Sequence, residues 1–362
     1  MLENTLFKLK NCKKFTVGYF GGSITEGAGA SKAGETSWRA RITSWLRESY
    51  PNCEIIEVQA AIGGTGSELG VYRCDRDLIV QKPDLVFYEF SVNDSETNEI
   101  KPLFNNTESI FRKIFAANKT ADIIVLHTMT ERIANALESG FEYVSRTAHT
   151  LAAHYYNVAV IEMGEALRSK VKASGGDWLK YTTDRVHPND DGHLVYAECI
   201  KNRLERMLQS AKELSAPLKR NLPERVFDTE NTLESAHIED SYQAELGGGW
   251  HKVEKDLCRR YPHYIEADES GAELTYKFCG KRIGIYFMLA SDSGDFEATI
   301  DNGDAQIVRT WDKYALSFDR AGHKMLDCDL PYGAHVLKIK VCSEKDEKSK
   351  GTAVRIGAFL VS

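Results

Sequence analysis

The sequence has 362 residues, of which 42% are hydrophobic and 27% are charged, and these fractions are typical of a globular protein. Lysine and arginine together number 46 against 53 aspartates and glutamates, and the formal net charge of −7 without a basic cluster argues against nucleic acid or an anionic membrane as a partner. A chain of this length exceeds the usual size of one hydrophobic core, so two domains are expected.

Neither the N-terminus nor the cysteines indicate export. The first residues, MLENTLFKLKNCKKFTV, lack the continuous apolar stretch and cleavage site of a signal peptide, and a cytoplasmic location is expected. No run approaches the roughly 18 apolar residues that span a bilayer. The eight cysteines, at positions 12, 53, 74, 199, 258, 279, 328 and 342, contain no C-x-x-C pair, and reduced thiols are expected. No cofactor and no metal is predicted.

Residues 1–215 alternate apolar runs with helical patterns. Strands that are apolar on both faces and separated by helices indicate a parallel sheet covered on both sides, which is an α/β fold of three layers. The last helix of this region follows Asp191 and has an apolar stripe. The predicted strands are 15–20, 54–59, 84–90, 122–127 and 158–161, and the earlier predicted helices are 37–50, 107–118 and 141–156.

The remaining residues have a different pattern. Residues 216–241 are polar without a sustained apolar period, which predicts a connector. From 242 to 362, short alternating runs separated by turn residues predict a second domain, an antiparallel β-sandwich of the jelly-roll type. Its predicted strands are 264–267, 273–278, 282–288, 296–300, 334–341 and 354–361.

Small and polar residues follow the first three predicted strands. Ser23 follows the first strand, Gly64 the second and Asn93 the third. In an open parallel sheet, ligands bind beyond the carboxyl ends of the strands, where the strand order reverses. If the order is 2-1-3-4-5, that point lies between the first and third strands, so Ser23 and Asn93 face each other. The three segments are GGSIT (21–25), AAIGGTGS (60–67) and SVND (91–94).

A serine becomes a nucleophile only when a base lies within hydrogen-bonding reach and a further group orients that base. The segment DRVH (184–187) offers both groups, because three residues of separation let Asp184 accept from one ring nitrogen of His187 while the other faces Ser23. His193 lies six residues after His187, but hydrogen bonding at a helix start is a better explanation of it than a metal pair.

These four blocks resemble the SGNH (GDSL-like) hydrolase family over residues 15–210. The resemblance implies a flavodoxin-like catalytic domain in which Ser23 is the nucleophile, His187 the base and Asp184 the group that orients it. It also implies an oxyanion hole formed by the backbone N–H groups of Ser23 and Gly64 and by the side chain of Asn93.

The sequence departs from the family pattern at three positions. Gly22 stands where the usual motif has aspartate, a variant that is common among carbohydrate-active members. Ser91 replaces a glycine, and Gln59 stands where many members have asparagine. None of these changes removes a catalytic group.

The residue types around these blocks suggest a substrate. Trp178, six residues before Asp184, either stacks on a sugar at the rim of the site or belongs to the core, and the same choice applies to Trp38. Gly22 and Trp178 are the candidate substrate-binding residues. Four aromatic residues of the second domain leave the same alternatives open: Trp250, Tyr261, Trp311 and Tyr314.

The favoured hypothesis is a serine esterase that removes a short acyl group, above all acetyl, from a sugar or oligosaccharide. The GGSIT variant and the appended sandwich resemble carbohydrate acetylesterases with an accessory domain. The alternatives are a lysophospholipase or thioesterase with the same catalytic residues, and a non-catalytic sugar-binding protein. The sequence leaves a homo-oligomer open.

Overall fold

The computed structural model describes residues 2–97, 99–226, 232–256 and 260–362. The chain divides into two compact units, Met1–Glu234 and Ser235–Ser362. The connector predicted at 216–241 is therefore divided between them, and its residues 227–231 lie outside the described residues, as does Cys258.

The first unit contains a parallel sheet of five strands in the order β2-β1-β3-β4-β5, which confirms the predicted fold class and the assumed strand order. The aromatic residues of these strands and most of their β-branched residues are buried, as expected for a sheet covered on both faces. The strands are β1 Lys14–Gly21, β2 Glu54–Gln59, β3 Leu85–Glu89, β4 Asp122–Leu126 and β5 Ala159–Ile161.

Two groups of helices cover this sheet. The helices α1, α3, α8 and α9 share one core with Phe15, Val17 and Tyr19 of β1, while α4, α5 and α7 pack together elsewhere. No helix within the described ranges is long and apolar enough to cross a membrane. The helices are α1 Glu3–Asn11, α2 Ser23–Glu26, α3 Trp38–Ser49, α4 Ser67–Asp77, α5 Ile100–Ala117, α6 Glu131–Glu138, α7 Val144–Tyr155, α8 Met163–Ala173 and α9 Asp190–Ser210.

Helix α5 begins seven residues before the predicted start at Thr107. Its first turn, with Ile100 and Pro102, is exposed, and its buried face begins at Leu103, four residues before the predicted start. Proline fits the first turn of a helix because an N–H there has no intrahelical acceptor.

The second unit contains two antiparallel sheets, which confirms the predicted β-domain. Their orders are β13-β12-β15-β10-β7 and β14-β11-β16-β9-β8, with β6 paired to β16. The predictions missed strands that are short or lack regular burial, such as β13 and β14. The strands are β6 His237–Asp240, β7 Glu245–Leu246, β8 His251–Val253, β9 Tyr264–Ala267, β10 Glu273–Gly280, β11 Ile283–Leu289, β12 Asp295–Ile300, β13 Gln306–Arg309, β14 Arg320–Asp327, β15 Gly333–Val341 and β16 Val354–Val361.

Candidate active site

Ser23 lies where β1 turns into the short helix α2. Strand β1 ends at Gly21, Gly22 precedes the helix in an extended conformation, and Ser23 is the first helical residue. The backbone N–H groups of a first helical turn have no intrahelical acceptor, so the N–H of Ser23 is available to a ligand. Ser23 is half-buried and lies at the carboxyl end of the sheet.

The structure brings Ser23, His187 and Asp184 into one chain of hydrogen bonds, although 164 residues separate the serine from the histidine. Ser23 Oγ lies 2.9 Å from His187 Nε2. His187 Nδ1 lies 2.7 Å from Asp184 Oδ2. Because the carboxylate accepts from Nδ1, the neutral ring presents Nε2 as an acceptor for the serine hydroxyl.

The Asp184 carboxylate is held by more than the imidazole. Its Oδ1 accepts the backbone N–H groups of Val186 at 3.0 Å and His187 at 2.7 Å. Burial acts to raise the pKa of Asp184, but the hydrogen bonds from His187 and Val186 outweigh burial, and the pKa lies below its ordinary value. The group is therefore anionic at neutral pH.

The loop that carries these residues is braced on both sides. Arg185 adopts a left-handed φ of 68°, which turns the backbone between Asp184 and His187. The Thr183 N–H donates to the His187 carbonyl at 2.8 Å. The guanidinium of Arg185 lies 3.0 Å from Glu131 on α6. These contacts fix the direction in which the imidazole points.

Asn93 lies next to Gly22, the residue before the nucleophile. It begins a 3-10 helix after β3, and a Cβ built on Gly22 would lie only 1.9 Å from Asn93 Oδ1. The missing side chain at position 22 is therefore what lets the Asn93 amide lie beside the turn that carries Ser23. The departure from the family motif at Gly22 thus has a local steric reason.

Loop 63–66 follows β2 and also lies next to Ser23. A Cβ built on Gly63 would lie 3.5 Å from the Cβ of Ser23. Gly64 has a φ of +73°, and no neighbouring atom lies within 4 Å of a Cβ built there. The positive φ favours glycine at position 64, whereas the space around it would admit a side chain.

Glu26 links this loop to the nucleophile. It is the last residue of α2, one turn after Ser23, and its Oε2 accepts the backbone N–H of Gly63 at 2.7 Å. Glu26 could not be predicted from the sequence, because no local pattern relates it to a residue 37 positions away.

Arg73 of α4 is a buried residue that the sequence analysis also missed. Its guanidinium donates to the carbonyl of Gly21 at 3.0 Å and to the carbonyl of Ala60. It also lies over the ring of Phe20 at 4.5 Å. Arg73 thereby joins the carboxyl ends of β1 and β2, from which the Ser23 turn and loop 63–66 emerge.

Glu89 also stabilises the turn that carries Ser23. This buried residue, the last of β3, accepts the hydroxyl of Thr25 at 2.8 Å and that of Thr128 at 2.6 Å. Burial raises the pKa of Glu89, while the two hydroxyl donors oppose that shift. Because Thr25 belongs to α2, this carboxyl group fixes the helix that begins with Ser23.

The tryptophan prediction needs correction. Trp178 is only 5% exposed and belongs to the core of the first unit, so its ring has no free face to stack on a sugar at the rim. Trp38 is fully buried in the same core. In the second unit, Trp250 and Tyr261 are buried and Trp311 packs against the core, whereas Tyr314 is exposed.

His193, the histidine six residues after His187, has structural partners. His193 Nδ1 accepts the backbone N–H of Trp38 at 3.3 Å, and its Nε2 lies 3.1 Å from the carbonyl of Ala28. Burial lowers the pKa of His193 to about 4. Among the residues that the structure describes, no three His, Cys, Asp or Glu side chains form a cluster that could hold a metal ion.

This arrangement has the parts needed for acyl transfer. A hydroxyl has an imidazole as its base, an anionic carboxylate orients that imidazole, and the segments that carry Gly63 and Asn93 lie next to the serine turn. Backbone N–H donors stabilise negative charge that develops on a substrate oxygen.

Residues 19–195 match the model of the GDSL-like lipase/acylhydrolase family. These residues form a GDSL-like acylhydrolase domain. The predicted family is thereby confirmed, and the chain is a carboxylic ester hydrolase. No curated protein matches the sequence.

Solved structures resemble the acylhydrolase domain together with the second unit. A two-domain esterase active on acetylated mannans matches with a TM-score of 0.85 and 20% identity, covering 100% of this chain and 95% of that chain. A crystal structure of such an esterase with mannopentaose gives a TM-score of 0.84 and 21% identity, with 100% and 94% covered. At these identities the likeness shows a shared fold.

Proposed function

We propose that this esterase removes acetyl groups from a carbohydrate through a covalent acyl-enzyme on Ser23. The observation that carries the proposal is the 2.9 Å contact between Ser23 Oγ and His187 Nε2, in a chain that continues to Asp184. A serine so placed loses its proton to the imidazole as it attacks an ester carbonyl.

In acylation, Ser23 Oγ forms a bond to the carbonyl carbon while its proton passes to His187 Nε2. The carbonyl oxygen becomes anionic and accepts hydrogen bonds from the N–H groups of Ser23 and Gly64 and from the Asn93 amide. When the tetrahedral intermediate collapses, the bond to the sugar oxygen breaks and His187 returns the proton to that oxygen. Asp184 remains ionised throughout and stabilises the imidazolium.

In deacylation, water replaces the sugar alcohol. His187 takes a proton from the water, whose oxygen attacks the acyl carbon, and the second tetrahedral intermediate uses the same donors. Its collapse releases acetate and returns the proton to Ser23. A neutral imidazole is needed at the start of both half-reactions, so activity requires a pH at which His187 is deprotonated.

The substrate class is supported by two observations. The whole chain shares its two-unit fold with an esterase active on acetylated mannans. The nucleophile turn carries Gly22, the variant found in carbohydrate-active members of the family, and here its missing side chain is required by Asn93. We therefore propose an acylated sugar or oligosaccharide as the substrate.

The experiment compares acyl chain lengths and measures acetate release. Hydrolysis of p-nitrophenyl acetate is set against esters of butyrate, octanoate and palmitate, and release of acetate is followed from acetylated manno- and xylo-oligosaccharides. We expect the highest kcat/KM with acetate and acetate release from at least one oligosaccharide. A preference for chains of eight or more carbons would instead support the lysophospholipase alternative.

The nucleophile is tested by Ser23→Ala beside Ser44→Ala. Ser44 is an exposed serine on α3 that bonds only to Glu48 at 3.1 Å, so it controls for the loss of a hydroxyl. Ser23→Ala should lower kcat by roughly 10⁴-fold or more without a change in unfolding temperature. Wild-type activity in Ser23→Ala would exclude the mechanism.

A further inference from the structure

Loop 63–66 depends on contacts to other segments for its position. Two adjacent glycines begin the loop, and glycine loses more conformational freedom on ordering than any other residue. One side of the loop is held by Thr65, whose hydroxyl donates to the Ile62 carbonyl at 2.8 Å. The side that faces Ser23 is held by the 2.7 Å hydrogen bond from Gly63 N–H to Glu26 Oε2.

The contact made by Glu26 is unlike an ordinary surface hydrogen bond. Its acceptor is a half-buried carboxyl group, and charge-assisted bonds to backbone N–H groups are about twice as strong as neutral ones. Arg39 forms an ion pair with Glu57, and burial lowers the pKa of this arginine while electrostatic interactions with Tyr19 and Glu26 oppose that shift.

Glu26 and Ser23 belong to the same turn of α2, so any displacement of the loop relative to Glu26 is also a displacement relative to the nucleophile. The N–H that donates to Glu26 belongs to Gly63, and the next N–H along the chain belongs to Gly64, the proposed oxyanion donor. Fixing the first therefore restricts where the second can point.

We propose that Glu26 is a positioning residue, whose carboxylate holds the Gly63 N–H and so aims the Gly64 N–H at the oxygen of the tetrahedral intermediate. This inference rests on the proposed function. The role is geometric, because a negative charge close to a developing oxyanion would by itself oppose the reaction. A neutral acceptor of the same shape should therefore serve as well as the carboxylate.

The test compares Glu26→Ala with Glu26→Gln, using p-nitrophenyl acetate and the full chain. Because a misplacement of about 1 Å can cost 10²-fold, Glu26→Ala should lower kcat by about 10- to 100-fold with little change in KM. Glu26→Gln keeps an amide oxygen that can accept from Gly63, so its kcat should stay within about threefold of wild type.

A transition-state mimic separates positioning from general damage. A boronic acid forms a tetrahedral adduct with a serine, and one of its oxygens takes the place of the oxyanion. In Glu26→Ala its inhibition constant should rise by the same factor as kcat/KM falls, whereas in Glu26→Gln it should hardly change.

Asn118→Ala is the matched control. Just before β4, at the amino end of the strand, Asn118 accepts the Thr120 N–H at 3.1 Å and the Thr120 hydroxyl at 2.8 Å and donates to the Pro83 carbonyl at 2.9 Å. Its replacement therefore removes at least as many hydrogen bonds as Glu26→Ala does, at the end of the sheet away from Ser23. Equal losses of kcat in Asn118→Ala and Glu26→Ala would overturn the inference, and so would a Gln variant as poor as Ala or a fully active Ala variant. An active Ser23→Ala chain would refute the proposed function itself, which is a separate result.

Discussion

Replacing Gly22 by alanine tests whether the Asn93 amide takes part in the reaction. A Cβ at position 22 would lie 1.9 Å from Asn93 Oδ1 and 2.9 Å from its Cγ. The backbone at Gly22, with φ of −95° and ψ of −155°, is one that alanine adopts without strain. The substitution therefore acts through the Asn93 side chain and not through the conformation of the turn.

The structure sets the size of the effect. To reach ordinary van der Waals contact, the amide must retreat by about 1.5 Å, which removes it from hydrogen-bonding distance to the oxyanion. Losing one oxyanion donor typically costs about 10²- to 10³-fold in kcat. The far end of a flexible side chain moves at little cost, so the free energy of unfolding should change by less than about 1 kcal/mol.

The assay is steady-state hydrolysis of p-nitrophenyl acetate, with thermal unfolding measured on the same samples. Gly34→Ala is the control, since a Cβ built on Gly34 meets no atom within 4 Å. A double-mutant cycle with Asn93→Ala decides whether Gly22→Ala acts through the Asn93 side chain. If it does, Gly22→Ala should lower kcat no further once the amide is gone. Additive losses in that cycle, or full activity in Gly22→Ala, would refute the reasoning.

Three further predictions concern the residues around the serine. Asp184→Asn should keep the fold but lower kcat by about 10⁴-fold, as the corresponding change does in serine proteases, and stopped assays above and below pH 7 should both show the loss. His193 has its pKa lowered to about 4, so the unfolded chain binds its proton first as the pH falls. The stability that this group contributes is therefore present above pH 6.5 and decreases by about 3 kcal/mol toward pH 4, and urea unfolding of His193→Gln should lack that decrease. Trp178→Ala should destabilise the chain by about 3–5 kcal/mol through the cavity it leaves, as measured by urea unfolding, with an unchanged KM for oligosaccharides. An altered KM without a stability loss would restore the sugar-stacking role.

The sheet of the first unit could be predicted because its strands are apolar on both faces and are separated by helices. In strands such as β3 all five residues are buried, so the sequence lacks the polar face that an amphipathic helix or strand would show. Edge strands were harder to predict from the sequence. Strand β13 has one buried residue among four, because its outer side faces no neighbouring strand, so the alternation that marks β10 is absent there.

The prediction that Trp178 stacks on a sugar shows a further limit of the sequence. An aromatic residue six positions before Asp184 looked like a pocket rim in the sequence, but sequence distance does not determine which way a side chain points. Trp178 lies in a 3-10 helix with its ring in the core, while Asp184 is exposed. The 3-10 geometry turns successive side chains by about 120°, so one residue of shift decides between core and surface.

The location of the site could be predicted because it depends on topology alone. Ser23 and Asn93 follow strands that are neighbours in the sheet, and any parallel sheet brings their carboxyl ends to one edge. Only the pairing of Ser23 with His187 also needed chemical reasoning, since the residue types of DRVH match a base and its orienting acid.

No sequence pattern predicted the side chains that hold the site together, and the reason is physical. Arg73 links two strand ends, Glu89 links α2 to the segment after β4, and Glu26 links α2 to a loop 37 residues away, so each acts across segments brought together only by folding. Buried polar groups such as Arg73 and Glu89 are costly unless they are hydrogen-bonded, which favours the arrangement of the turns around Ser23 in which their partners are in place. The strand order therefore brings the proposed reacting groups near one another, and the contacts of these three side chains hold the turns that carry them.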